Sequence, residues 1–228
     1  MPKYVHCQQV SANPYGRDFV LADLHGCYKS LKRAMKAVDF DKEIDRVFSV
    51  GDLIDRGDDS LACLELLCEP WFHAVQGNHE NMMLASLRAG EDSDSWFGWM
   101  SNGGKWYSKL SKNELKLVKD LLPLISSLPI TCIVETRWGE RVGISHAQPP
   151  IMDWSRLIDD KRLTGDEIWK AMWSREIIRQ RKNNKVRGVD KTFHGHTIVK
   201  KPQQIGNMHF IDTGVYLYDD VSFIELKN

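Results

Sequence analysis

The stretch Gly51-Asp52-Leu53-Ile54-Asp55-Arg56-Gly57 decides how the rest of this chain is interpreted. The apolar run 47–50 leads directly into it and predicts a buried strand, because the run is short, rich in β-branched and aromatic residues, and ended by glycine. Two acids and an arginine then follow within the length of one turn. Unpaired buried charge is costly, so the carboxylates of Asp52 and Asp55 require groups that neutralise them.

Two flanking stretches have the same construction. Asp-Leu-His-Gly at 23–26 follows the apolar run 19–21, and Gly-Asn-His-Glu at 77–80 follows the run 72–75. A helix is expected after each of the three motifs, which gives the order β-α-β-α-β. In open α/β sheets, ligands bind at the carboxyl ends of the strands. Three strand ends that carry oxygen and imidazole donors therefore predict a divalent metal centre.

Length and composition set the class of protein. A chain of 228 residues suits one domain with a sizeable core, and a zero net charge argues against bulk electrostatic binding of nucleic acid or anionic membrane. The five cysteines form no CxxC pair and are odd in number, which favours a reduced, cytoplasmic setting. We expect no signal peptide at the start of the chain and no membrane-spanning segment, because no apolar stretch is long enough.

Periodic patterns predict the elements around the strand ends. Apolar residues recur at helical spacing over 28–38, which indicates an amphipathic helix. Capping boxes at 111–114 and 164–167 predict two later helix starts, and Pro123 is expected to end the first of these helices. The expected strands are 18–22, 46–50, 72–76, 130–135, 141–145, 191–193, 208–211 and 221–226.

The segments between these elements have weaker patterns. Residues 1–17 are polar, with one edge strand expected. Residues 90–107 are rich in Gly, Ser and Trp and indicate a loop or a short helix, and residues 179–187 indicate a basic, solvated loop. The whole pattern is typical of the α/β (α+β) class, and predicts a central mixed β-sandwich flanked by helices in one domain over residues 1–228.

Six candidate metal ligands stand just after predicted strands and can converge at one edge of the sheets: Asp23, His25, Asp52, Asn78, His146 and His196. Oxygen and imidazole donors without thiolate suit Mn²⁺, Fe²⁺ or Zn²⁺ better than a structural zinc site. The set suits two ions about 3.5–4 Å apart, joined by one carboxylate and a hydroxide derived from water. Asp52 is the expected bridge. His194 could compete with His196, which we favour.

Five short motifs occur in a fixed order along the chain: 23–26, 51–57, 77–80, Ser-His-Ala at 145–147 and Gly-His-Thr at 195–197. Together they resemble the metal-dependent phosphoprotein phosphatase (PPP-type) superfamily, and most closely its short phage and bacterial branch. The resemblance covers nearly the whole chain and extends to 102–104, 173–176 and 211–214. Any one of these motifs alone is weak evidence, but five in order are a strong signal.

The resemblance implies a calcineurin-like metallophosphoesterase fold and two divalent metal ions, with Mn²⁺ expected and Fe²⁺ or Zn²⁺ as alternatives. Asp23 and His25 would hold the first ion, Asp52 would bridge the two, and the remaining ligands would complete the second. Taken singly, the same residues have simpler explanations, as helix caps, turn residues or core histidines. Those explanations would all have to hold together to remove the metal centre.

The resemblance also assigns roles in catalysis. His79 would protonate the leaving oxygen, Asp55 would orient His79, and Arg56 and Arg175 would bind the phosphoryl oxygens. These roles agree with the chemistry of a phosphate monoester dianion, which needs charge neutralisation and a proton for its leaving group. A structural salt bridge is the alternative for Arg175. The tryptophans of 96–106 are expected in the core or the pocket wall.

The predicted activity is hydrolysis of phosphoserine and phosphothreonine esters in proteins or peptides, and sometimes of phosphotyrosine, by direct attack of the metal-bridging hydroxide. A symmetrical dinucleoside tetraphosphatase is the main alternative. That branch tends to carry Ala in place of the acid before Arg-Gly, and Gly-Asn-His-Asp, so Asp55 and Glu80 favour the protein phosphatase. A non-catalytic module that binds metal or phosphate is a third possibility, against which the complete set of ligands argues.

Ala22 departs from the glycine usual before the first motif.

Overall fold

The computed structural model describes residues 4–181 and 184–227. Its strands are β1 (Val5–Val10), β2 (Asp18–Leu21), β3 (Arg46–Ser49), β4 (Phe72–Ala74), β5 (Pro129–Glu135), β6 (Arg141–Ser145), β7 (Lys191–His194), β8 (Gln203–Ile205), β9 (Met208–Phe210) and β10 (Phe223–Glu225). Its α-helices are α1 (Tyr28–Ala37), α2 (Ser60–Glu65), α3 (Asn78–Ala89), α4 (Asp94–Ser101), α5 (Lys112–Ser127), α6 (Ser155–Asp159), α7 (Gly165–Trp173), α8 (Glu176–Gln180) and α9 (Val215–Tyr218).

The strands form two sheets. One has six strands in the order β1-β5-β6-β7-β9-β8, and the other has four in the order β10-β2-β3-β4. Strands β2, β3 and β4 run parallel, as do β6, β7 and β9. The hairpin between β5 and β6 is antiparallel, as predicted, and β1 is an edge strand paired in parallel with β5.

The apolar core has three layers, which confirms the predicted β-sandwich flanked by helices. Buried residues of both sheets pack together between them, namely Val20, Phe48, Val75, Cys132, Val142, Ile144 and Phe193. The other face of the four-stranded sheet is covered by α1 to α5. The six-stranded sheet is covered on its outer face by α6, α7 and α8. Within the described residues, no helix has both the length and the apolar character needed to cross a membrane.

Two local expectations need correction. Pro123 does not end its helix but lies inside α5, which continues to Ser127. Proline removes one backbone hydrogen bond, yet Leu121 and Ile125 on either side of it are buried against the core, and this packing keeps the last turns helical. The helix α8 extends into the segment expected to be a basic loop, and residues 182–183 of that segment lie outside the described residues.

The topology brings five strand ends to one edge of the sandwich. The parallel strands β2, β3 and β4 end at this edge, and so do β6 and β7 of the other sheet, since Asp52 and His146 side chains meet there. Each candidate ligand follows the end of one of these strands within a few residues. The edge therefore collects donors from both sheets.

Candidate metal centre

The structure brings all six candidate ligands together, and each of them is buried. Asp23 and His25 follow β2, Asp52 follows β3, and Asn78 is the first residue of α3 after β4. His146 follows β6 and His196 follows β7. The predicted convergence at one sheet edge is therefore found.

Tight backbone turns aim these side chains inward. His25, Asp52 and His196 have positive φ angles of 43°, 51° and 65°, a region that non-glycine residues adopt rarely and at a cost. Glu80 supports the turn at Asp52, because its carboxylate accepts the backbone N–H groups of Asp52 at 3.0 Å and Leu53 at 2.8 Å. These two hydrogen bonds to Glu80, a buried residue of α3, stabilise the strained backbone of Asp52.

Two glycines give the carboxylates room. A Cβ atom on Gly195 would lie 1.8 Å from Oδ1 of Asp23, and a Cβ on Gly77 would lie 2.2 Å from Oδ1 of Asp52. Both distances are far below any van der Waals contact. The glycines of Gly-Asn-His-Glu and Gly-His-Thr are therefore required for the approach of the two acids to the backbone of neighbouring loops.

Three of the histidines share one orienting device. In each, one ring nitrogen faces a backbone carbonyl oxygen, which only accepts hydrogen bonds, so that nitrogen carries the proton. The pairs are His25 Nδ1 with Ile54 O at 2.9 Å, His146 Nδ1 with Val50 O at 2.9 Å and His196 Nε2 with Trp173 O at 3.1 Å. The other nitrogen of each ring is left for the centre, as in the outer shell of known metal sites.

The inward-facing donor atoms form two groups. His25, Asp52 and His79 make one group, and Asp52, His146 and His196 make the other, with all ligand atoms of a group within 4.8 Å of one another. Asp52 belongs to both, and its Oδ2 atom lies 3.7 Å from His25 Nε2 and 3.3 Å from His146 Nε2. The shared carboxylate has the position of a bridge between two ions.

The donor chemistry fits divalent cations. The pKa of His196 is lowered to about 3 by burial, so the ring is neutral, and its Nδ1 lone pair lies 2.8 Å from Oδ1 of Asn78. Two acceptors face each other there, an arrangement that a cation satisfies. The pKa of His25 is also lowered to about 3, chiefly by burial. Burial lowers the pKa of His146 as well, but the Asp52 carboxylate outweighs burial and raises it to about 9 in the absence of a cation. A cation bound at Nε2 would have to displace that proton.

Asp23 is buried at the centre beside His25 but belongs to neither of these two groups. Its Oδ2 atom lies 3.9 Å from His25 Nε2, and both of its oxygens accept the backbone N–H of His196, at 3.2 and 2.9 Å. His79, expected as a proton donor, belongs to the first group, and its Nε2 atom lies 3.8 Å from Oδ2 of Asp52, so geometry alone places it among the candidate ligands. The hydrogen bonds of His79 differ from those of the three candidate histidine ligands.

His79 is oriented through Nδ1 by a carboxylate rather than by a backbone carbonyl group. Its Nδ1 atom lies 2.6 Å from Oδ2 of Asp55, and its backbone N–H donates to Oδ1 of Asp52 at 2.9 Å. Burial lowers the pKa of His79, but the charge of Asp52 and the hydrogen bond to Asp55 outweigh burial, and the net effect is a raised pKa. His79 is thus held in an orientation that leaves Nε2 facing the centre.

Two arginines stand at the centre. Arg56 is exposed, its guanidinium lies 4.6 Å above the Tyr216 ring, and its Nη1 and Nη2 atoms lie 2.9 Å from His25 Nε2 and 3.2 Å from His79 Nε2. Arg175 lies beyond the end of helix α7. That helix ends at Trp173, and Arg175 precedes α8.

Arg175 is half-buried and donates from Nη2 to the backbone carbonyl of His196 at 3.5 Å. Burial lowers its pKa, and the like charges of Arg179 and Arg56 lower it further. Within residues 4–181 and 184–227, no carboxylate forms an ion pair with it. The structural salt bridge considered for Arg175 is therefore not found there, and the cation is left for an anion.

The sequence pattern of the calcineurin-like phosphoesterase family matches residues 19–209. The chain belongs to the calcineurin-like phosphoesterase family. This finding confirms the predicted resemblance and the predicted fold, and the family implies divalent metal ions at the centre.

Individual proteins agree with this assignment. The chain is 35% identical over 209 residues to serine/threonine-protein phosphatase 1 of Salmonella typhimurium, covering 91% of this chain and 90% of that protein. The symmetrical bis(5'-nucleosyl)-tetraphosphatase of Cellvibrio japonicus is 39% identical over only 82 residues, which are 34% of this chain and 30% of that protein. A solved serine/threonine phosphatase structure from Saccharomyces cerevisiae covers 95% of this chain and 74% of its own, with a TM-score of 0.60 and 15% identity, and shows the shared fold. The predicted class of enzyme, a phosphatase hydrolase, is thereby confirmed.

Several residues of this phosphoesterase centre were not assigned from the sequence. The Glu80 carboxylate accepts the backbone N–H of Asp52, and the Tyr216 ring packs against the Arg56 guanidinium. Asp212 is buried beside the centre. The motifs at 77–80 and 211–214 include Glu80 and Asp212, but the roles of these residues depend on partners that are far away in the chain, which a local pattern does not specify. His194 is buried outside the centre, with Nδ1 3.1 Å from Ser145 O and Nε2 2.8 Å from Thr192 Oγ1.

Proposed function

We propose that this phosphatase hydrolyses phosphoserine and phosphothreonine monoesters of proteins or peptides, with two divalent ions held by the six candidate ligands. The observation that carries the proposal is the membership of Asp52 in both donor groups. Mn²⁺ is the proposed ion, and Fe²⁺ and Zn²⁺ are the alternatives that the oxygen and imidazole donors allow. When bound, such ions neutralise phosphate charge and make water nucleophilic near neutral pH.

His79 is proposed to supply the proton that the leaving oxygen needs. Its Nε2 atom faces the centre, and Asp55 holds the opposite side of the ring at 2.6 Å. An alkoxide leaving group departs far more readily when it is protonated in the transition state, and histidine titrates in the range required. In this proposal Asp52 binds the metal ions, and Asp55 orients His79.

Arg56 and Arg175 are proposed to bind the phosphoryl oxygens. Two guanidinium groups that repel each other, one of them half-buried, are stabilised by a doubly charged anion between them. Arginine forks also match the geometry of phosphate oxygens. In this proposal the phosphoryl group passes directly to water, without a phosphorylated side chain.

The choice of phosphoprotein over dinucleotide is supported by the extent of the similarity. The protein phosphatase relative matches nearly the whole chain, whereas the tetraphosphatase relative matches about a third of it. Asp55, which this proposal requires behind His79, is a position where the tetraphosphatase branch tends to carry alanine. We also propose a single domain over residues 1–228 that acts in the cytoplasm on phosphorylated proteins, without binding nucleic acid or membrane.

The test is a substrate and metal panel. The protein is stripped with a chelator, each of the three metals is added back singly, and turnover is measured on phosphoserine, phosphothreonine and phosphotyrosine peptides and on diadenosine tetraphosphate. We expect Mn²⁺ to restore turnover of the phosphoserine and phosphothreonine peptides. Turnover of the dinucleotide alone would replace the proposal with the tetraphosphatase.

A further inference from the structure

The carboxylate of Asp55 accepts three N–H groups from side chains. His79 Nδ1 lies 2.6 Å from Oδ2, Trp99 Nε1 lies 2.9 Å from Oδ2 and 3.1 Å from Oδ1, and Trp106 Nε1 lies 2.7 Å from Oδ1. Asp55 is fully buried, and both indole rings are buried with it. The two tryptophans are therefore more than core filling, because each has its polar atom on the acid behind His79.

Indole donors suit this position. The indole N–H donates but never accepts and does not titrate near neutral pH. Two such donors satisfy the lone pairs that His79 leaves free and hold the plane of the carboxylate, without adding a positive charge or a competing proton. A lysine or arginine at the same position would instead weaken the attraction between Asp55 and the protonated His79.

The segment that contains Trp99 and Trp106 also packs against Asp55 through its backbone. Trp99 lies on α4 and Trp106 on the 3₁₀ turn Gly104–Lys109. A Cβ atom on Gly104 would lie 2.7 Å from the Trp99 ring, so only glycine lets the two elements close. Gly103, at φ +115°, brings the backbone against Asp55 and accepts a hydrogen bond from the Arg56 N–H at 3.4 Å.

We infer that Trp99 and Trp106 are positioning residues for the proton donor, acting on His79 through Asp55, and this inference rests on the proposed role of His79. The glycine pair 103–104 sets the distance between the two rings and the acid. Residues 90–107 were expected to form a loop or short helix, with tryptophans in the core or the pocket wall. Two of those tryptophans therefore have a role in positioning the proton donor.

The test compares Trp99→Phe and Trp106→Phe with Trp96→Phe, each in the Mn²⁺-loaded full chain. Phenylalanine keeps the ring but removes the N–H. Trp96 is the matched control, because its ring packs edge-on against Trp99 at 5.6 Å while Asp55 receives its indole hydrogen bonds from the other two. Each variant is assayed on phenyl phosphate, whose leaving group needs a proton, and on 2,4-dinitrophenyl phosphate, whose leaving group does not.

We expect Trp99→Phe and Trp106→Phe to lower kcat on phenyl phosphate by about tenfold, a fraction of what general acid catalysis contributes. The same variants should change kcat on 2,4-dinitrophenyl phosphate by less than about twofold, because protonation is not needed there. In a His79→Asn background the tryptophan substitutions should have no further effect on phenyl phosphate, since the residue they position is gone. Trp96→Phe should leave the ratio of the two substrates unchanged.

A readout without catalysis checks the contact itself. In ¹⁵N-labelled protein, the indole protons of Trp99 and Trp106 should exchange slowly with solvent, and Asp55→Asn should speed their exchange. The buried indole proton of Trp154, which is donated to the backbone carbonyl of Ile151, should exchange at the same rate in both proteins. Equal losses on both phosphate esters for the Trp99 and Trp106 variants would overturn the inference, and so would indole protons that are indifferent to Asp55→Asn. If His79→Asn itself spares phenyl phosphate, the proposed proton donor fails and the inference fails with it. If His79→Asn loses activity mainly on phenyl phosphate but the Trp99 and Trp106 variants do not, the proposed proton donor stands and only the inference about the tryptophans fails.

Discussion

The carboxylate of Glu80 fixes the backbone of Asp52: it accepts the Asp52 N–H at 3.0 Å while Asp52 stands at a φ of +51°. The same carboxylate accepts the N–H of Leu53 at 2.8 Å and of Gly77 at 2.9 Å. One buried acid therefore joins the ends of β3 and β4 and sets the direction of Asp52, the candidate ligand shared by both donor groups.

We expect Glu80→Gln to lose stability and metal affinity together. The amide offers one acceptor oxygen where the carboxylate offers two, and its NH₂ group opposes backbone N–H donors, so the unfolding free energy should fall by about 1–3 kcal/mol. Metal affinity should fall by about 10–100-fold, as is typical when a group that orients a metal ligand is lost. Thermal melting without metal and calorimetric titration with Mn²⁺ measure the two effects. Glu65→Gln, at the end of α2 on an exposed side chain, is the control, and an equal loss there would show that the Glu80 bonds are not responsible.

Gly195→Ala should remove Asp23 from its position. The new Cβ atom would lie 1.8 Å from Oδ1 of Asp23, so either the carboxylate or the loop must move. We expect loss of Mn²⁺ affinity and of activity, and a destabilisation of about 1–3 kcal/mol, typical of overpacking. Gly165→Ala has open space around its Cβ and should leave both quantities within about 0.5 kcal/mol of the parent. An active, metal-binding Gly195→Ala variant would contradict this account of the loop.

Asp52→Asn and His79→Asn should separate metal binding from proton donation. Because Asp52 stands in both donor groups, its substitution should abolish activity and weaken the binding of both ions. His79→Asn should retain metal affinity but lower kcat on phosphopeptides by about 10²–10⁴-fold, the range of general acid catalysis. Metal content after dialysis and kcat on the same samples provide the comparison. Loss of metal from His79→Asn would instead make His79 a ligand, as its distance to His25 and Asp52 allows.

Asp45 should make stability depend on pH at the end of the sheet far from the metal centre. It accepts the Arg17 backbone N–H at 2.7 Å and the Arg17 guanidinium at 2.6 Å. Burial raises the pKa of Asp45, but these bonds outweigh burial and hold it below its usual range. A depressed pKa stabilises the fold above the unfolded value of about 3.9, and the contribution is lost as pH falls through the folded pKa.

Asp45→Asn should therefore be less stable than the parent by about 1–3 kcal/mol at pH 7, a cost typical of a charged hydrogen bond. The difference should begin to shrink as pH falls below about 4, because the carboxyl of the unfolded chain is protonated first, and it should be lost once pH falls through the lower pKa of the folded protein. Thermal melts of both proteins between pH 7 and pH 3 test this, with the exposed Glu43→Gln as control. A difference that stays constant over that range would show that ionisation of Asp45 is not the cause.

Sequence patterns were sufficient for the parts of this protein that local rules govern. The strand ends at Asp23, Asp52 and Asn78 follow from short apolar runs and the glycines beside them, and both capping boxes form as predicted. Pro123 was misjudged because the burial of Leu121 and Ile125 outweighs one lost hydrogen bond. Packing of this kind depends on partners that a helix pattern does not specify.

The contacts behind the centre were beyond local rules. Trp99 and Trp106 reach Asp55 across 44 and 51 residues of chain, and periodicity describes only which side of a helix is apolar. The position of Arg175 depended on where α7 ends, and helix ends are the least certain part of a pattern. The orientation of the histidines by backbone carbonyl groups likewise appears only when the loops are placed together.

The origin of the six donors gives the centre a mechanical consequence. Four of them stand on loops of the four-stranded sheet, while His146 and His196 stand on loops of the six-stranded sheet. The proposed pair of cations would therefore link the two sheets at the edge where these strands end. Loss of the proposed ions would free the two sheets to separate at that rim, so the loaded protein should melt at a higher temperature and over a narrower range than the stripped one.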